Sequence, residues 1–584
     1  MSSLNTLSHL LLIPLIFMYG CSPGLPSDGD SESIPGELSQ KEYSALSDQQ
    51  KYQVANKLLG TMFKGMPVDE FFDISSGMAN PGLKKGRDFM SSTKAALSSE
   101  LTESEIKFND NVITDIDDQN SDSLFQIDFN NSNSDWPKHM PMARIFQYPL
   151  SKDFFDNWIA YVLANTILFS PAQEIDSTSI RDVQKVFFKL KNDLAQNKTV
   201  HQIIARHQRS QENWRRFRSP EDNTREMIEI YLGLFDRDAD VPRASIACKD
   251  LYLSDENNDY ELLSTGFPNT EPQYVLDTFV TTCDDFYDVI ANHPAVIPRV
   301  TTVLAEYFLF NKSGAERADI VSTIVSQGPT TFQEIFKAIL FNKTYLLNNE
   351  RAKSIEENFL STAHNMGWKP YRSILSDMTN TSSNLGRVNL NQMGWPTMTL
   401  KLGRFTGVPL DSLSFANYHK SIRERLLLGS TGTGSCSSSG EVGGNAFTRC
   451  RWSNGLGIRL RSSPASLAVD ATDQEKDKYQ YEVARLEKLT VRNGRVIALG
   501  VEDYVDYLFM TTLQRRANST EKADLINYFY DLNRDGTGGT SSDYLQDLLD
   551  GRLAIRDGRH DEIAQIVFDY VSRLPEYYYF LKIN

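Results

Sequence analysis

The sequence predicts a mainly α protein, a multi-helical body with at most a few short strands or hairpins and a disulfide-closed loop. Apolar residues recur at helical spacing through much of the chain from Phe154 onward. Alternation of apolar and polar residues, which is the pattern of a half-buried strand, is scarce. A Gly/Ser-rich stretch lies between Cys436 and Cys450, and a disulfide would close it into a loop.

The length and charge of the chain bound its organisation and exclude one class of partner. A chain of 584 residues is too long for one ordinary core, which predicts two to four subdomains. The chain has 60 Lys and Arg against 76 Asp and Glu, a net charge of −16. A nucleic-acid-binding protein needs a basic face to replace phosphate counterions. We therefore expect no nucleic-acid partner.

Residues 1–20 have the pattern of a signal peptide. Their apolar run ends at Tyr19 and is too short to cross a bilayer as a stable helix. Gly20-Cys21 follows and resembles the lipobox of bacterial lipoproteins, in which the cysteine is lipidated and becomes the new N-terminus. Residues 21–48 are rich in Ser, Gly, Pro and acidic residues, as expected of the lipidated cysteine and a flexible tether. The alternative is an ordinary cleaved signal peptide.

The folded part is expected to begin with residues 49–150, a region with both helical and irregular structure. An amphipathic helix is predicted at residues 49–64. Residues 100–135 are rich in Asn, Asp and Ser, which favours an irregular surface insertion. Residues 151–430 then form the predicted helical core.

Two segments of the helical core carry clear apolar stripes. The first lies in residues 295–310 and the second in residues 331–341. Their core-facing residues are predicted to be Val296, Val300, Val303, Leu304, Tyr307 and Phe308, and Phe332, Ile335, Phe336, Ile339 and Leu340.

The remaining chain is divided between a loop and a second helical region. Residues 431–470 form the Gly/Ser-rich disulfide loop, and residues 471–584 form a C-terminal helical region. Within that region, residues 489–500 are the best candidate for a hairpin, with Asn493-Gly494 at its turn.

The cysteines predict two disulfides. With Cys21 assigned to lipidation, four cysteines remain, and four cysteines in an oxidising compartment allow three pairings. Proximity in the sequence favours Cys248–Cys283 and Cys436–Cys450. The second bond would stabilise its short loop by about 3 kcal/mol in the chain-entropy model.

The segment after Ser219 predicts a well-capped helix with polar residues on its apolar side. Ser219 suits the N-cap and Pro220 the first helical position. Helical spacing places Asn223 and Glu226 on the same stripe as Met227, Ile230, Tyr231 and Leu234. A carboxylate on the inward side needs partners, so Glu226 either forms a structural clasp with an Arg and backbone amides or lines a cleft. Arg225 and Glu229 are expected to pair on the outer face.

This segment resembles the signature of a family of secreted bacterial proteins, catalogued as the domain of unknown function numbered eighteen hundred. The matching residues are Asn223, Arg225, Glu226, Glu229, Leu232, Gly233, Asp240 and Val241, followed by His293, Pro294 and Arg299 and by Gly394 and Trp395. The resemblance spans roughly Phe154 to the C-terminus. It implies a helical, exported protein, often with a secreted partner that resembles alkaline phosphatase or sulfatase folds, and it implies no established reaction.

A cation site is a second candidate, between two helical stretches. Asp531, Asn533 and Asp535 hold the first, third and fifth positions of an EF-hand loop, and Thr537 would offer its carbonyl oxygen. The bidentate Glu is missing, and Asp543 lies one place beyond its position. The alternatives are a calcium site with a substitute ligand and an Asx/Gly turn that joins two helices.

These observations leave three functional hypotheses. The first is a lipoprotein anchored to the membrane of the bacterial cell envelope, which binds another exported protein without catalysis; Ser22 after Cys21 favours the outer membrane. The second is a hydrolase-like enzyme, for which the catalytic candidates are Asn223, Glu226, His293 and Arg299. For His293 the alternatives are capping or packing at a helix start. The third is calcium-dependent adhesion or stabilisation through the EF-hand-like loop.

Overall fold

Helices dominate the computed structural model, which confirms the mainly α class. The structure describes residues 34–74, 76–79, 81–115, 144–164, 166–168, 180–254, 261–366, 368–370, 439–442, 445–448, 452–454, 458–460, 497–499, 501–530, 567–568 and 570–583.

Residues 144–147, 567–568 and 570–571 are helical, and the helices with assigned bounds run from residue 40 to residue 530. They are α1 (Gln40–Ser44), α2 (Asp48–Thr61), α3 (Val68–Phe71), α4 (Phe89–Ala96), α5 (Glu103–Asp115), α6 (Lys152–Ala164), α7 (Ile180–Ala195), α8 (Val200–Gln208), α9 (Gln211–Arg216), α10 (Pro220–Leu232), α11 (Val241–Ala247), α12 (Cys283–Ala291), α13 (Val296–Phe308), α14 (Gly314–Ser326), α15 (Phe332–Leu340), α16 (Ile355–Met366), α17 (Val501–Leu513) and α18 (Ser519–Tyr530). A π-helical turn spans Thr344–Asn348, and a 3-10 turn spans Pro575–Tyr578.

The strands are short, and all of those described pair in twos. They are β1 (Phe72–Asp73), β2 (Gly82–Leu83), β3 (Leu251–Leu253), β4 (Leu262–Ser264), β5 (Gln273–Val275), β6 (Thr278–Val280), β7 (Arg351–Ala352), β8 (Trp368–Pro370), β9 (Ser439–Val442), β10 (Asn445–Thr448), β11 (Trp452–Asn454), β12 (Ile458–Leu460), β13 (Ile497–Leu499) and β14 (Tyr579–Phe580). The pairs β1–β2, β3–β4, β5–β6, β7–β14, β8–β11 and β9–β10 are antiparallel, and β12–β13 is parallel.

The predicted apolar stripes are confirmed. Every predicted core-facing residue of α13 and of α15 is buried. In α15, Thr331 is the N-cap and Glu334 returns the hydrogen bond in a capping box, which fixes where the helix begins. The helix predicted at residues 49–64 is α2, which is capped in the same way by Ser47 and Gln50.

Residues 36–48, which the sequence assigned to the tether, belong to the folded body. Ser39 and Glu42 form a capping box at the start of α1, and Leu38 and Tyr43 are fully buried. The Leu38 N–H donates to the Phe341 carbonyl oxygen over 2.9 Å. The tether boundary at residue 48 was therefore wrong, because two apolar side chains anchor this segment to the core.

The prediction of an irregular insertion at residues 100–135 is wrong for the first part of this range. Residues Glu103–Asp115 form α5. The Thr102 N–H donates to Glu105 over 2.8 Å and the Glu105 N–H donates to Thr102 over 3.3 Å, which is a capping box. The rest of the insertion lies outside the described residues.

The second half of the hairpin predicted at residues 489–500 pairs with a different segment of the chain. Ile497–Leu499 is a strand, but it pairs in parallel with Ile458–Leu460. The predicted turn at Asn493-Gly494 lies outside the described residues.

The described residues from Gly36 onward form one unit around one contiguous hydrophobic core, rather than the two to four subdomains that the length predicts. The core takes in side chains from α2, α6, α13, α15, α16 and α17. The predicted boundaries at residues 150 and 430 therefore do not separate independent cores in this part of the chain.

Charged side chains also lie inside this core. Arg351 and Glu357 are 2% and 1% exposed, and Arg351 Nη1 donates to Glu357 Oε2 over 2.8 Å. Lys57 is 3% exposed, and its Nζ donates to the carbonyl oxygens of Asn349, at 2.5 Å, and Leu581, at 3.0 Å. Burial lowers the pKa of Lys57 to about 7. Lys57 thereby connects segments that are far apart in the sequence.

Candidate docking surface

Helix α10 has the ends that the sequence predicts. The Ser219 side chain accepts a hydrogen bond from the Asp222 N–H, and Pro220 begins the helix. Gly233 ends it in the left-handed conformation with φ of 68°. A Cβ atom at position 233 would lie 3.0 Å from Arg299 Cδ, so this glycine also leaves room for a side chain of α13.

Asn223 lies in the core, whereas Glu226 is partly exposed. Asn223 is fully buried, and its Oδ1 accepts a 2.8 Å hydrogen bond from the Tyr287 hydroxyl of α12. Met227 and Tyr231 are buried as predicted, but Ile230 and Leu234 are only partly so. The apolar stripe therefore runs through Ile228 and Leu232 as well, and it turns Glu226 toward the edge of the helix.

The predicted pairing of Arg225 with Glu229 is replaced by two other contacts. Arg225 Nη1 lies 2.7 Å from Asp238 Oδ1, and Arg225 Nη2 lies 3.4 Å from Glu221 Oε1. Arg225 thus joins α10 to the loop before α11.

The remaining catalytic candidates have structural contacts. His293 Nδ1 accepts a hydrogen bond from the Ala295 N–H over 3.1 Å, next to the start of α13, which is a capping contact. Burial lowers the pKa of His293, and the positive charge of Arg237 adds to the effect. Arg299 Nε donates to the Ile230 carbonyl oxygen over 3.2 Å, and burial lowers its pKa.

These contacts place the candidates at different points along α10. Asn223 meets α12 near the start of the helix, whereas Arg299 meets the carbonyl of Ile230 near its end. Seven residues of helix separate these points by about 10 Å along the axis. The two side chains therefore anchor α12 and α13 to α10 at separate places and do not converge on one reacting atom.

The disulfide predicted between Cys248 and Cys283 is present. Cys248 caps the C-terminus of α11 and Cys283 begins α12, with a sequence separation of 35 residues. The bond therefore closes the segment that contains β3, β4, β5 and β6, and ties both of its ends to the helical body.

The hairpin β5–β6 has an inner and an outer face. Val275 and Val280 are buried, while Tyr274 and Phe279 on the opposite face are 44% and 70% exposed. These two aromatic residues face each other across the strands, with ring centroids 5.2 Å apart. A hairpin that packs one face on a core normally places polar side chains on the other. Here both faces are apolar at these positions.

The hairpin β3–β4 repeats this arrangement. Leu251, Leu253 and Leu262 are partly buried and pack against the core. Tyr252 and Leu263 lie opposite each other on the outer face, and they are 42% and 38% exposed.

Large exposed apolar side chains are thus concentrated in this segment. Those between residues 235 and 279 are Phe235, Ile246, Tyr252, Leu263, Phe267, Tyr274 and Phe279. Phe267, which lies between the hairpins in the sequence, is 79% exposed. We call Tyr252, Leu263, Phe267, Tyr274 and Phe279 the hairpin surface.

Acidic residues accompany the hairpin surface. Residues 235–283 carry ten acidic and three basic side chains, a net charge of −7 out of −16 for the whole chain. Two of the basic side chains already have acidic neighbours. Arg237 lies 3.2 Å from Asp277, and Arg243 lies 3.9 Å from Asp240.

The turn of the hairpin β5–β6 has a regular geometry, but the sequence carries no clear signal for it and the prediction missed it. The runs Gln273–Val275 and Thr278–Val280 are separated by two residues, which is the length of a tight hairpin loop. The loop residues Leu276 and Asp277 have φ of 49° and 61°, the positive values of a type I′ turn. The Asn-Gly pair that usually marks this turn is absent from the two positions.

Comparison with protein-family models, curated proteins and solved structures finds no match for the chain. The resemblance to the family of unknown function therefore stays a prediction.

Several predicted residues lie outside the described residues. They are Cys21, Cys436, Cys450, Gly394, Trp395, Asp531, Asn533, Asp535, Thr537 and Asp543. Where the chain is described, three or more His, Cys, Asp or Glu side chains nowhere come together as a metal site. In the same residues, each helix is too short or too polar to span a bilayer.

Proposed function

We propose that the chain is an envelope-anchored binding protein that docks another exported protein through the hairpin surface. The observation that carries this proposal is the repeated arrangement of β3–β4 and β5–β6. Each hairpin packs one face against the core and exposes a cross-strand apolar pair on the other. Exposed apolar side chains that adjoin one another, as in these two pairs, are candidates for an interaction site.

The chemistry of the surface favours a protein as the partner. Tyrosine and phenylalanine supply large contact areas with few rotatable bonds, and aromatic residues are enriched at the centres of protein interfaces. The strands are also short and paired in twos, so each hairpin offers backbone groups at its edges to an added strand. The Cys248–Cys283 disulfide limits the motion of the segment before binding, which lowers the entropy lost on association.

The charge around the surface favours a partner with a basic rim. A net charge of −7 over residues 235–283 attracts Lys and Arg residues and speeds their encounter. The same charge repels the anionic head groups of a membrane. We therefore choose a basic exported protein as the occupant over a lipid surface.

The proposed location follows from the N-terminal segment. Lipidation of Cys21 would anchor the body to the envelope, with a tether that ends before residue 36, because the residues from Gly36 onward belong to the folded body. The predicted disulfide Cys248–Cys283 forms, which suits an oxidising compartment. We propose that the lipid anchor lies in the outer membrane, because the residue that follows Cys21 is Ser22.

Site-specific photo-crosslinking in intact envelopes tests this proposal. A benzoylphenylalanine in place of Phe267 should yield one protein adduct, because its side chain lies on the hairpin surface. The same replacement of Phe108, which is 65% exposed on α5, is the matched control and should not yield that adduct.

Two further experiments distinguish a protein partner from a membrane surface. Tyr274→Ser combined with Phe279→Ser should remove the adduct at position 267, and higher salt should weaken it because the partner is basic. Adducts with lipid alone, or an adduct that the double variant leaves unchanged, would contradict the proposal.

A further inference from the structure

A pocket of about 240 Å³ lies between α7, α8 and α9, outside the hairpin surface. Its polar lining consists of Lys189, Arg206, His207, Arg209, Ser210 and Glu212, and Val186 adds an apolar wall. Typical small-molecule sites measure about 300–1,000 Å³, so this pocket suits a ligand smaller than most cofactors.

His207 is the buried polar group of the pocket that the protein leaves without a partner. It is only 5% exposed, and no described residue forms a hydrogen bond with its imidazole ring. Burial lowers its pKa to about 3, so the ring is neutral at physiological pH and offers one donor and one acceptor. A buried polar group of this kind is normally satisfied, which points to a ligand.

Arg206 supplies a positive charge that its neighbours do not fully neutralise. Its Nε lies 2.6 Å from Asp193 Oδ2, while Asp193 Oδ1 lies 2.7 Å from Lys198 Nζ. One carboxylate is therefore shared by two cations. Among the described residues no carboxylate pairs with the terminal nitrogens of Arg206, and these have the fork geometry that binds a carboxylate in two places.

The other cations that line the pocket are already paired with carboxylates. Lys189 donates to both oxygens of Glu212, over 3.0 Å and 2.8 Å, and Glu212 is 3% exposed. Arg209 contacts Asp284 and Asp288, each over 2.7 Å. Arg206 is therefore the cation of the pocket whose terminal nitrogens are available to a ligand.

We propose that this pocket binds a small hydroxycarboxylate. Its carboxylate pairs with the terminal nitrogens of Arg206, and its hydroxyl forms a hydrogen bond with the His207 ring, while Val186 contacts its carbon atoms. The proposal is independent of the hairpin surface and of any exported partner.

Saturation-transfer NMR with lactate tests the site, because the method detects weak binding by small ligands. The full chain should give a saturable signal with lactate and none with lactamide, which has the same shape but no charge. Arg206→Ala should weaken lactate binding by about tenfold or more, since it removes a charged hydrogen-bonding partner. Arg225→Ala, which removes an exposed arginine of α10, is the control and should leave lactate binding unchanged.

A second measurement uses the parent chain, so its result does not depend on whether a variant folds. With labelled histidines, the His207 signal should stay constant between about pH 8 and pH 5, unlike that of a solvent-exposed histidine. Lactate should move this non-titrating signal. Absence of saturable lactate binding, equal binding of lactamide, binding of inorganic phosphate but not lactate, or binding that survives Arg206→Ala would each overturn the proposal.

Discussion

Tyr274 and Phe279 lie opposite each other on β5 and β6, with ring centroids 5.2 Å apart, and both rings are exposed to solvent. Val275 and Val280 on the other face of the same hairpin are buried. The outer pair therefore contributes little to the core, whereas the inner pair holds the hairpin in place. This division separates residues available for binding from residues required for folding.

Substitutions on the two faces should differ in their effect on stability. Tyr274→Ser with Phe279→Ser should lower the free energy of unfolding by about 1 kcal/mol, the size of an exposed aromatic pair. Val280→Ala alone should cost about 2 kcal/mol, because a buried side chain leaves a cavity. Urea denaturation followed by circular dichroism measures both values. Equal losses on the two faces would show that the outer pair is part of the core.

Removal of the Cys248–Cys283 disulfide should destabilise the protein. The bond closes a segment with a sequence separation of 35 residues. For a loop of this size, the chain-entropy model gives about 4 kcal/mol. Cys248→Ala with Cys283→Ala should lower the urea midpoint accordingly, and a reducing agent should lower it more for the parent chain than for this variant. An unchanged midpoint would mean that the helices alone fix the two ends.

The buried ion pair of Arg351 and Glu357 should be costly to break. Glu357→Gln leaves a guanidinium that is 2% exposed without its negative partner and should cost about 3–5 kcal/mol. Asp238→Asn, which removes the exposed partner of Arg225, is the control and should cost less than about 1 kcal/mol. Arg351→Met combined with Glu357→Leu should cost less than Glu357→Gln. A loss below that of the control would contradict the assigned burial of the pair.

Gly233 and Gly328 offer a matched pair of alanine substitutions. Both have positive φ, 68° and 67°, but only at Gly233 would a Cβ atom approach another side chain, at 3.0 Å from Arg299 Cδ. Gly328→Ala should cost about 1 kcal/mol from backbone strain alone. Gly233→Ala should cost more, and Arg299→Ala in the same chain should remove the excess. Equal losses of unfolding free energy at the two positions would show that the Arg299 side chain moves aside without cost.

Stability should rise with pH above neutrality and fall again at high pH. Burial lowers the pKa of Lys57 to about 7 and that of Lys353 to about 8, so between pH 8 and 10 the unfolded chain binds more protons than the folded chain. The free energy of unfolding therefore increases over this range. Burial also raises the pKa of Tyr287, so unfolded tyrosines lose protons first above about pH 10 and stability declines.

Urea midpoints across this pH range measure the effect. Lys57→Met should flatten the rise between pH 8 and 10, because it removes one of the depressed groups. Lys107→Met, at an exposed position of α5, should leave the slope unchanged. A slope that Lys57→Met does not alter would place the pH dependence elsewhere.

The helical part of the fold was predictable because its signals are local. The apolar stripes of α13 and α15 and the cap at Thr331 can be recognised within a single turn or two of sequence. The Thr102 and Glu105 capping box was equally visible, and the high polarity around it was misread as irregular structure.

The hairpins and the pocket were not predictable in the same way. Strands of three residues carry too little alternation to be recognised, and the turn at Leu276-Asp277 lacks the usual residues. The burial of His207 was not predictable from local sequence, because it depends on α7 and α9 packing beside α8. The burial of Lys57 was not predictable for the same reason, because its hydrogen-bond acceptors are the carbonyl oxygens of residues 349 and 581.

The contact between Lys57 and Leu581 has a consequence for biogenesis. The two residues are 524 positions apart, and the strand pair β7–β14 joins the same late segment to the middle of the chain. During synthesis from the N-terminus, α2 therefore lacks one of its final contacts until Leu581 has been added. Such long-range closure slows folding, so a helix near the start of the folded body is among the elements that complete their packing late.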